Sequence, residues 1–278
     1  MNKFFAFLCL IVLFSCKEKT ITISKDITFD QQMDISYGND PEQKMDLYIP
    51  KNRDSVKTIF IIIHGGGWKA GKKSDLTYFT LSMMKRFPQS AFANINYRLA
   101  TETSFALSNQ TDDIQKAIDY LVGITPIKSK FILLGNSAGG HLAMLYSYRF
   151  DEKDRIKAVV NIVGPSDLSD PNFKNYSDYS FVENHLVDPA AIPKGISIGN
   201  FASPVYWVNK NSPPTLSFYG NNDQVIPLSQ KGILDSVLNK NEVSNQSFEF
   251  HGGHLDWTNE KNAPFLIKKI DEFLKQIK

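Results

Sequence analysis

Phe131-Ile132-Leu133-Leu134-Gly135-Asn136-Ser137-Ala138-Gly139-Gly140-His141-Leu142-Ala143-Met144-Leu145-Tyr146 is the stretch whose reading decides the fold. Its first four residues are a continuous apolar run, the mark of a short buried strand. From His141 onward the residues suit the start of a helix. Between the two lies a G-x-S-x-G spacing. A strand that passes into a helix over so few residues holds its serine in a strained backbone conformation, with the hydroxyl standing out above the sheet. The flanking glycines are needed because side chains there would strike the adjoining strand and helix. Behind the serine, the helix N-terminus offers unpaired N–H groups to developing negative charge. Ser137 is therefore the candidate nucleophile.

Length and composition leave room for this reading and exclude others. The chain has 278 residues, 42% hydrophobic and 22% charged, which suits one large α/β domain. Its 31 basic and 29 acidic residues form no block, so nothing points to nucleic acid. The only cysteines, Cys9 and Cys16, lie in the first sixteen residues, which excludes a disulfide framework and a cysteine-based zinc site.

The N-terminus reads as a targeting segment. Met1-Asn2-Lys3 is a short positive start, and Phe4 to Phe14 is an apolar run of eleven residues. That matches a signal-peptide core and falls short of the about 20 residues that span a bilayer. Leu13-Phe14-Ser15-Cys16 resembles a bacterial lipoprotein signal, with leucine three before the cysteine and a small residue just before it. The resemblance implies removal of residues 1–15, lipidation of Cys16, a polar tether over 16–25 and a domain over 26–278 outside the cytoplasm, on the periplasmic or surface side. The rival is an ordinary secretory signal cleaved nearby.

Outward from the serine, the chain alternates strands and helices. Ile21 to Phe29, Met33 to Tyr37 and Met45 to Ile49 alternate apolar and polar residues, as in an antiparallel sheet edge with one wet face. Thr58 to Ile63 is a β-branched run expected to be buried on both faces, as is Ala158 to Val163; Ala91 to Asn96, Thr215 to Tyr219 and Ser247 to Phe250 are further strands. Helices are expected over Asp75 to Phe87, over Thr111 to Val122 with Thr111 or Asp112 as cap, over Leu228 to Leu238 and over Ala263 to Ile277. Gly164 to Pro204 shows no long period and reads as an insertion beside the site, with a short helix over Phe181 to Val187. The expected fold is α/β: a single, mostly parallel twisted sheet with helices on both faces and a lid-like insertion.

A serine needs a base to take its proton, and the base needs an acid to orient it. Each should lie just past the C-terminal end of a later strand, where ligand sites form in such sheets. Asp223 follows the strand ending at Tyr219 and is the preferred acid over Asp167 and Asp170. His251 and His254 both follow the last strand. His254 is preferred, because the Gly252-Gly253 pair before it lets the backbone carry its ring over the serine. His185 is read as a surface or insertion residue, His141 as a packing residue beneath the turn, and His64 as structural because it precedes the serine. For an oxyanion the candidate donors are the backbone N–H groups of Ala138, Gly66 and Gly67, with Trp68 as substitute, in His64-Gly65-Gly66-Gly67-Trp68.

With these pieces in place the sequence resembles the α/β-hydrolase superfamily, and within it the hormone-sensitive-lipase-like carboxylesterases and the feruloyl and acetyl-xylan esterase group. The matching stretches are His64 to Trp68, Asn96-Tyr97-Arg98-Leu99-Ala100, Gly135 to Gly140, Gly220-Asn221-Asn222-Asp223 and Gly253-His254, in the expected order over residues 43–278. Trp68 looks more like the xylan-esterase or arylformamidase side. The resemblance implies Ser137, Asp223 and His254 as triad and Gly66, Gly67 and Ala138 as oxyanion hole. It also implies hydrolysis of carboxylic esters, small-molecule or carbohydrate, through an acyl-enzyme and without metal or organic cofactor. Amide or peptide hydrolysis by the same residues is the nearer rival. A non-catalytic ligand-binding lipoprotein is the farther one. The sequence leaves the acyl and alcohol groups and the oligomeric state open.

Overall fold

Two kinds of strand make up the sheet, and burial separates them. In β4 (Thr58–Ile63) and β6 (Lys130–Asn136), Ile59, Ile61, Ile63, Phe131 and Leu133 face one core, while Phe60, Ile62, Ile132 and Leu134 face another. Because every position from Ile59 to Ile63 and from Phe131 to Leu134 is buried on one side or the other, the sequence there reads as an unbroken apolar run. Each such side chain contributes roughly 1.5–3 kcal/mol by leaving water. By contrast, β1 (Lys19–Ser24) and β2 (Ile27–Ser36) are only partly covered: Ile21, Ile23, Ile27 and Phe29 pack against the core, while Thr22, Met33 and Asp34 are exposed. The computed structural model describes residues 19–52, 56, 58–125, 130–177 and 179–277. Residues 1–18, and with them the signal segment and Cys16, lie outside the described residues.

The remaining strands are β3 (Lys44–Pro50), β5 (Ala91–Ile95), β7 (Ile156–Ile162), β8 (Thr215–Gly220) and β9 (Asn245–Phe250). Among the described residues they form one nine-stranded sheet in the order β1-β2-β3-β5-β4-β6-β7-β8-β9. The first three strands are antiparallel, β3 pairs antiparallel with β5, and every pair from β5 through β9 is parallel. Helices α1 (Thr77–Arg86) and α8 (Asn262–Gln276) cover one face through Phe79, Met83, Leu266 and Phe273. The other face is covered by α2 (Asn109–Ile124), α3 (Ala138–Arg149) and α7 (Ser229–Lys240), through Ile114, Ile118, Leu142, Leu234 and Leu238. No helix among the described residues is long and apolar enough to cross a membrane.

Three expectations need correction. Lys19–Ser24 is paired as β1 against β2, so the tether expected over 16–25 overlaps a strand, and the strand pattern expected from Ile21 to Phe29 is split by a turn at Lys25 and Asp26. Helix α2 begins two residues earlier than expected, and neither Thr111 nor Asp112 caps it; Thr111 Oγ donates instead to the Ser108 carbonyl at 2.8 Å. Its start is set by tertiary pairing, since Leu107 N donates to Leu186 O at 2.8 Å just before the helix. The same pairing ends α4 (Tyr179–His185) sooner than expected, because Leu186 and Val187 extend alongside Leu107. Two shorter helices, α5 (Ile198–Ala202) and α6 (Pro204–Trp207), complete the insertion.

Candidate active site

Ser137 lies between β6 and α3 at φ 53° and ψ −123°, a conformation that side chains rarely adopt. Strain of this kind costs about 1–3 kcal/mol and persists only where the surroundings impose it. Here Ser137 N donates to Ile162 O at 2.8 Å, and His141 N closes the first helical turn onto Ser137 O at 3.0 Å. Trp68 at φ 64° and Val163 at φ 47° are likewise non-glycine residues with positive φ, in the loops after β4 and β7. The turn works only because α3 lies tight against β4: a Cβ on Gly139 would stand 2.1 Å from the Ile63 carbonyl oxygen. Gly139→Ala is expected to destabilise the fold by about 1–3 kcal/mol, read as a lowered denaturation midpoint.

The three residues expected to act together are in contact. His254 Nε2 is 2.9 Å from Ser137 Oγ, and His254 Nδ1 is 2.8 Å from Asp223 Oδ2. A carboxylate accepts, so Nδ1 carries the proton and the Nε2 lone pair faces the hydroxyl, which donates to it. Asp223 is held in turn: its other oxygen accepts from Val225 N at 2.8 Å and Ile226 N at 2.9 Å, and its side chain is fully buried. That arrangement fixes the imidazole in the tautomer a general base needs. The Gly252-Gly253 segment carries His254 over the sheet edge, with Gly252 at φ 141°.

The loop after β4 lies directly beside this group. Gly65 N donates to Asn136 Oδ1 at 3.0 Å, so the residue before Ser137 ties the loop to the turn. An added Cβ on Gly65 would stand 3.2 Å from Ser137 Cβ. Gly66 has φ 115°, and a side chain there would meet the Ala70 carbonyl oxygen at 2.0 Å, which restricts the position to glycine. The loop is pinned on both flanks. Tyr97 Oη donates to His64 O at 2.9 Å, and the Trp68 carbonyl accepts from Ala100 N at 3.0 Å and Gln110 Nε2 at 2.7 Å. Among the described residues no acceptor meets the N–H of Gly66 or Gly67. Ala138 opens α3, where the first-turn N–H groups have no partner within the helix.

The candidates set aside have other work. His141 is fully buried, and its ring bonds Trp68 and the Ala202 carbonyl. His64 stacks on Tyr97 with ring centres 4.3 Å apart. His185 stacks on Phe181, and His251 is exposed. Asp167 accepts from Ser169 N and Oγ, while Asp170 takes Ser229 Oγ and Gln230 Nε2, so both anchor the insertion. Sequence reasoning named Asn96 to Ala100 without giving it a task. Arg98 grips Asp113 on α2 through its guanidinium and backbone N, holding that loop behind Trp68. It also missed Asn136, Gln110 and the Trp68–His141 contact, whose partners are far apart in sequence.

The sheet order and this arrangement at its edge define an α/β-hydrolase. The chain belongs to the BD-FAE family, whose sequence profile matches residues 45–238. Esterase LipC of Mycobacterium tuberculosis is 27% identical over 212 residues, which cover 70% of this chain and 52% of LipC. The isoprenylcysteine alpha-carbonyl methylesterase ICME of Arabidopsis thaliana is 23% identical over 266 residues, 86% of this chain and 59% of that protein. This chain thus spans little more than half the length of these curated relatives. Among solved structures, a truncated carbohydrate esterase from gut microbiota shares the fold with a TM-score of 0.68 at 20% identity, covering 88% of this chain and 96% of its own.

Proposed function

We propose that this chain hydrolyses carboxylic esters by two-step acyl transfer. The observation that carries the proposal is the pair of contacts from Ser137 Oγ to His254 Nε2 at 2.9 Å and from His254 Nδ1 to Asp223 Oδ2 at 2.8 Å. Ser137 Oγ attacks the ester carbonyl carbon while its proton passes to His254 Nε2, and Asp223 stabilises the imidazolium. The carbonyl oxygen, now an anion, is received by the N–H groups of Gly66, Gly67 and Ala138; a donor in such a position is worth about 2.7–4 kcal/mol. Collapse breaks the C–O bond, and the leaving alkoxide takes the proton from Nε2. Water then repeats the sequence on the acyl-enzyme and restores Ser137.

The substrate class proposed is an ester on a carbohydrate, acetyl or feruloyl. Its support is membership of the BD-FAE family. The insertion carries a separate groove of about 410 Å³, with buried Leu168, Val182 and Ala202 and exposed Ser169, Lys174 and Glu183 in its lining and none of Ser137, Asp223 or His254. Tyr176 of the same segment reaches towards the oxyanion loop, its Oη 3.7 Å from where a Gly67 Cβ would stand. A fluorophosphonate probe should label Ser137 stoichiometrically in the intact protein. Acetyl and feruloyl sugar esters should then be cleaved in preference to matched amides. Absent labelling would favour a non-catalytic binding protein, and faster amide cleavage an amidohydrolase.

The proposal includes an anchor: Cys16 carries lipid and holds the domain at a bacterial membrane outside the cytoplasm. Its support is the Leu13-Phe14-Ser15-Cys16 sequence after an apolar core. Metabolic labelling with a fatty-acid analogue should mark the full chain and fail on Cys16→Ser; equal labelling of both would exclude the anchor.

A further inference from the structure

We infer that His141 is a positioning residue: one imidazole, bonded at both nitrogens, holds the oxyanion loop in register and couples it to the insertion. The inference rests on the serine-hydrolase reading of Ser137. Trp68 Nε1 lies 3.1 Å from His141 Nδ1, and His141 Nε2 lies 2.8 Å from the Ala202 carbonyl oxygen. An indole N–H can only donate and a carbonyl can only accept. The tautomer is therefore determined by its neighbours: Nδ1 accepts, and Nε2 carries the proton and donates. The two rings meet edge to face at 89° with centres 5.2 Å apart, and His141 has no exposed surface. Complete burial holds the imidazole neutral and pushes its pKa down to about 4.

What this contact holds is a strained residue. Trp68 has φ 64° and immediately follows Gly67, one of the proposed donors. Its carbonyl is gripped by Ala100 N and Gln110 Nε2, and its indole is gripped by His141. With both ends of Trp68 fixed, the peptide joining it to Gly67 has little freedom to turn, and the preceding N–H groups keep their aim. Left unheld, the tryptophan would relax out of the left-handed region and rotate that peptide. At the far side, Ala202 ends α5 and lines the groove beside Leu168 and Val182. Ala202 is thus the insertion's point of attachment to the imidazole that also holds Trp68. The interaction should act on the transition state rather than on ground-state binding, because oxyanion donors tighten only as charge develops.

The test uses the full chain and three variants, Trp68→Phe, His141→Leu and His141→Gln. Steady-state rates on short p-nitrophenyl esters, inhibition by phenylboronic acid and thermal melts are measured for each. Trp68→Phe and His141→Leu should lower kcat by about 10²-fold and weaken boronate inhibition by a similar factor, with KM nearly unchanged. His141→Gln, whose amide can still donate to Ala202, should recover part of the loss. Unchanged kcat in the folded variants, a loss confined to KM, or a loss matched by the fraction unfolded would overturn the inference. The wild type gives an independent check by ¹⁵N NMR: His141 should show a protonated Nε2 and a bare Nδ1, and the opposite tautomer would overturn the inference even if the variants fail to fold. A wild type that neither labels with fluorophosphonate nor cleaves esters would instead remove the reading of Ser137 on which the inference rests.

Discussion

Ser137→Ala is expected to lower kcat for short p-nitrophenyl esters by about 10⁶-fold while the chain stays folded. Rate and fold separate here because different atoms serve them. The side chain makes one hydrogen bond among the described residues, to His254 Nε2, and it supplies the oxygen that would bond to the acyl group. The backbone conformation rests on Ser137 N to Ile162 O and on His141 N to Ser137 O, neither of which involves the hydroxyl. Alanine keeps both contacts and the positive φ. Melting curves of the two proteins should therefore nearly coincide, and fluorophosphonate labelling should vanish. A variant that retains most of the wild-type kcat would remove Ser137 from the chemistry.

Asp223→Asn is the second large effect, a loss of about 10⁴-fold in kcat. The substitution is nearly isosteric, and the amide oxygen can still accept from Val225 N and Ile226 N, as Asp223 Oδ1 does at 2.8 and 2.9 Å. What then faces His254 Nδ1 is an amide NH₂, which donates. The imidazole must present its lone pair at Nδ1 and carry its proton on Nε2, where it can no longer accept from Ser137 Oγ. The protein keeps its fold, and His254 can no longer serve as the base. Measuring kcat alongside a crystal structure of the variant would separate this from misfolding. A well-folded Asn variant with undiminished turnover would show that Asp223 does not orient the histidine.

The strands that hold the site were legible because their burial is written into short windows. Ile59 to Ile63 and Phe131 to Leu134 serve two cores at once, so every position is apolar. Ser137, Asp223 and His254 were legible for a related reason: each follows a readable strand, in an order the fold requires. The insertion was not, since its anchors are single side chains reaching distant backbone. Gln230 accepts from Ser166 N and Asp167 N, and Ser203 Oγ accepts from Leu168 N; such pairs leave no period. The start of α2 failed for want of a local signal, because Ser108 makes no side-chain cap and the entry is set by Leu107 pairing with Leu186. The grip of Arg98 on Asp113 and of Trp68 on His141 became visible only when the residues met in space.

The way the insertion is fastened bears on how its preferences can change. Its root is clamped by Gln230, its middle is joined to Leu107 beside Val187, and its exit is held through Ala202. Between these fixings Phe173, Val182, Leu186 and Val187 pack into the core, while most of residues 188–200 are exposed. In the exposed stretch 188–200 residues can be exchanged, and short pieces lengthened, without touching Ser137, Asp223 or His254. Drift in that surface stretch can thus reshape the ground beside the site, while Ala202 and the sheet edge keep their fixed contacts with the reacting group's supports.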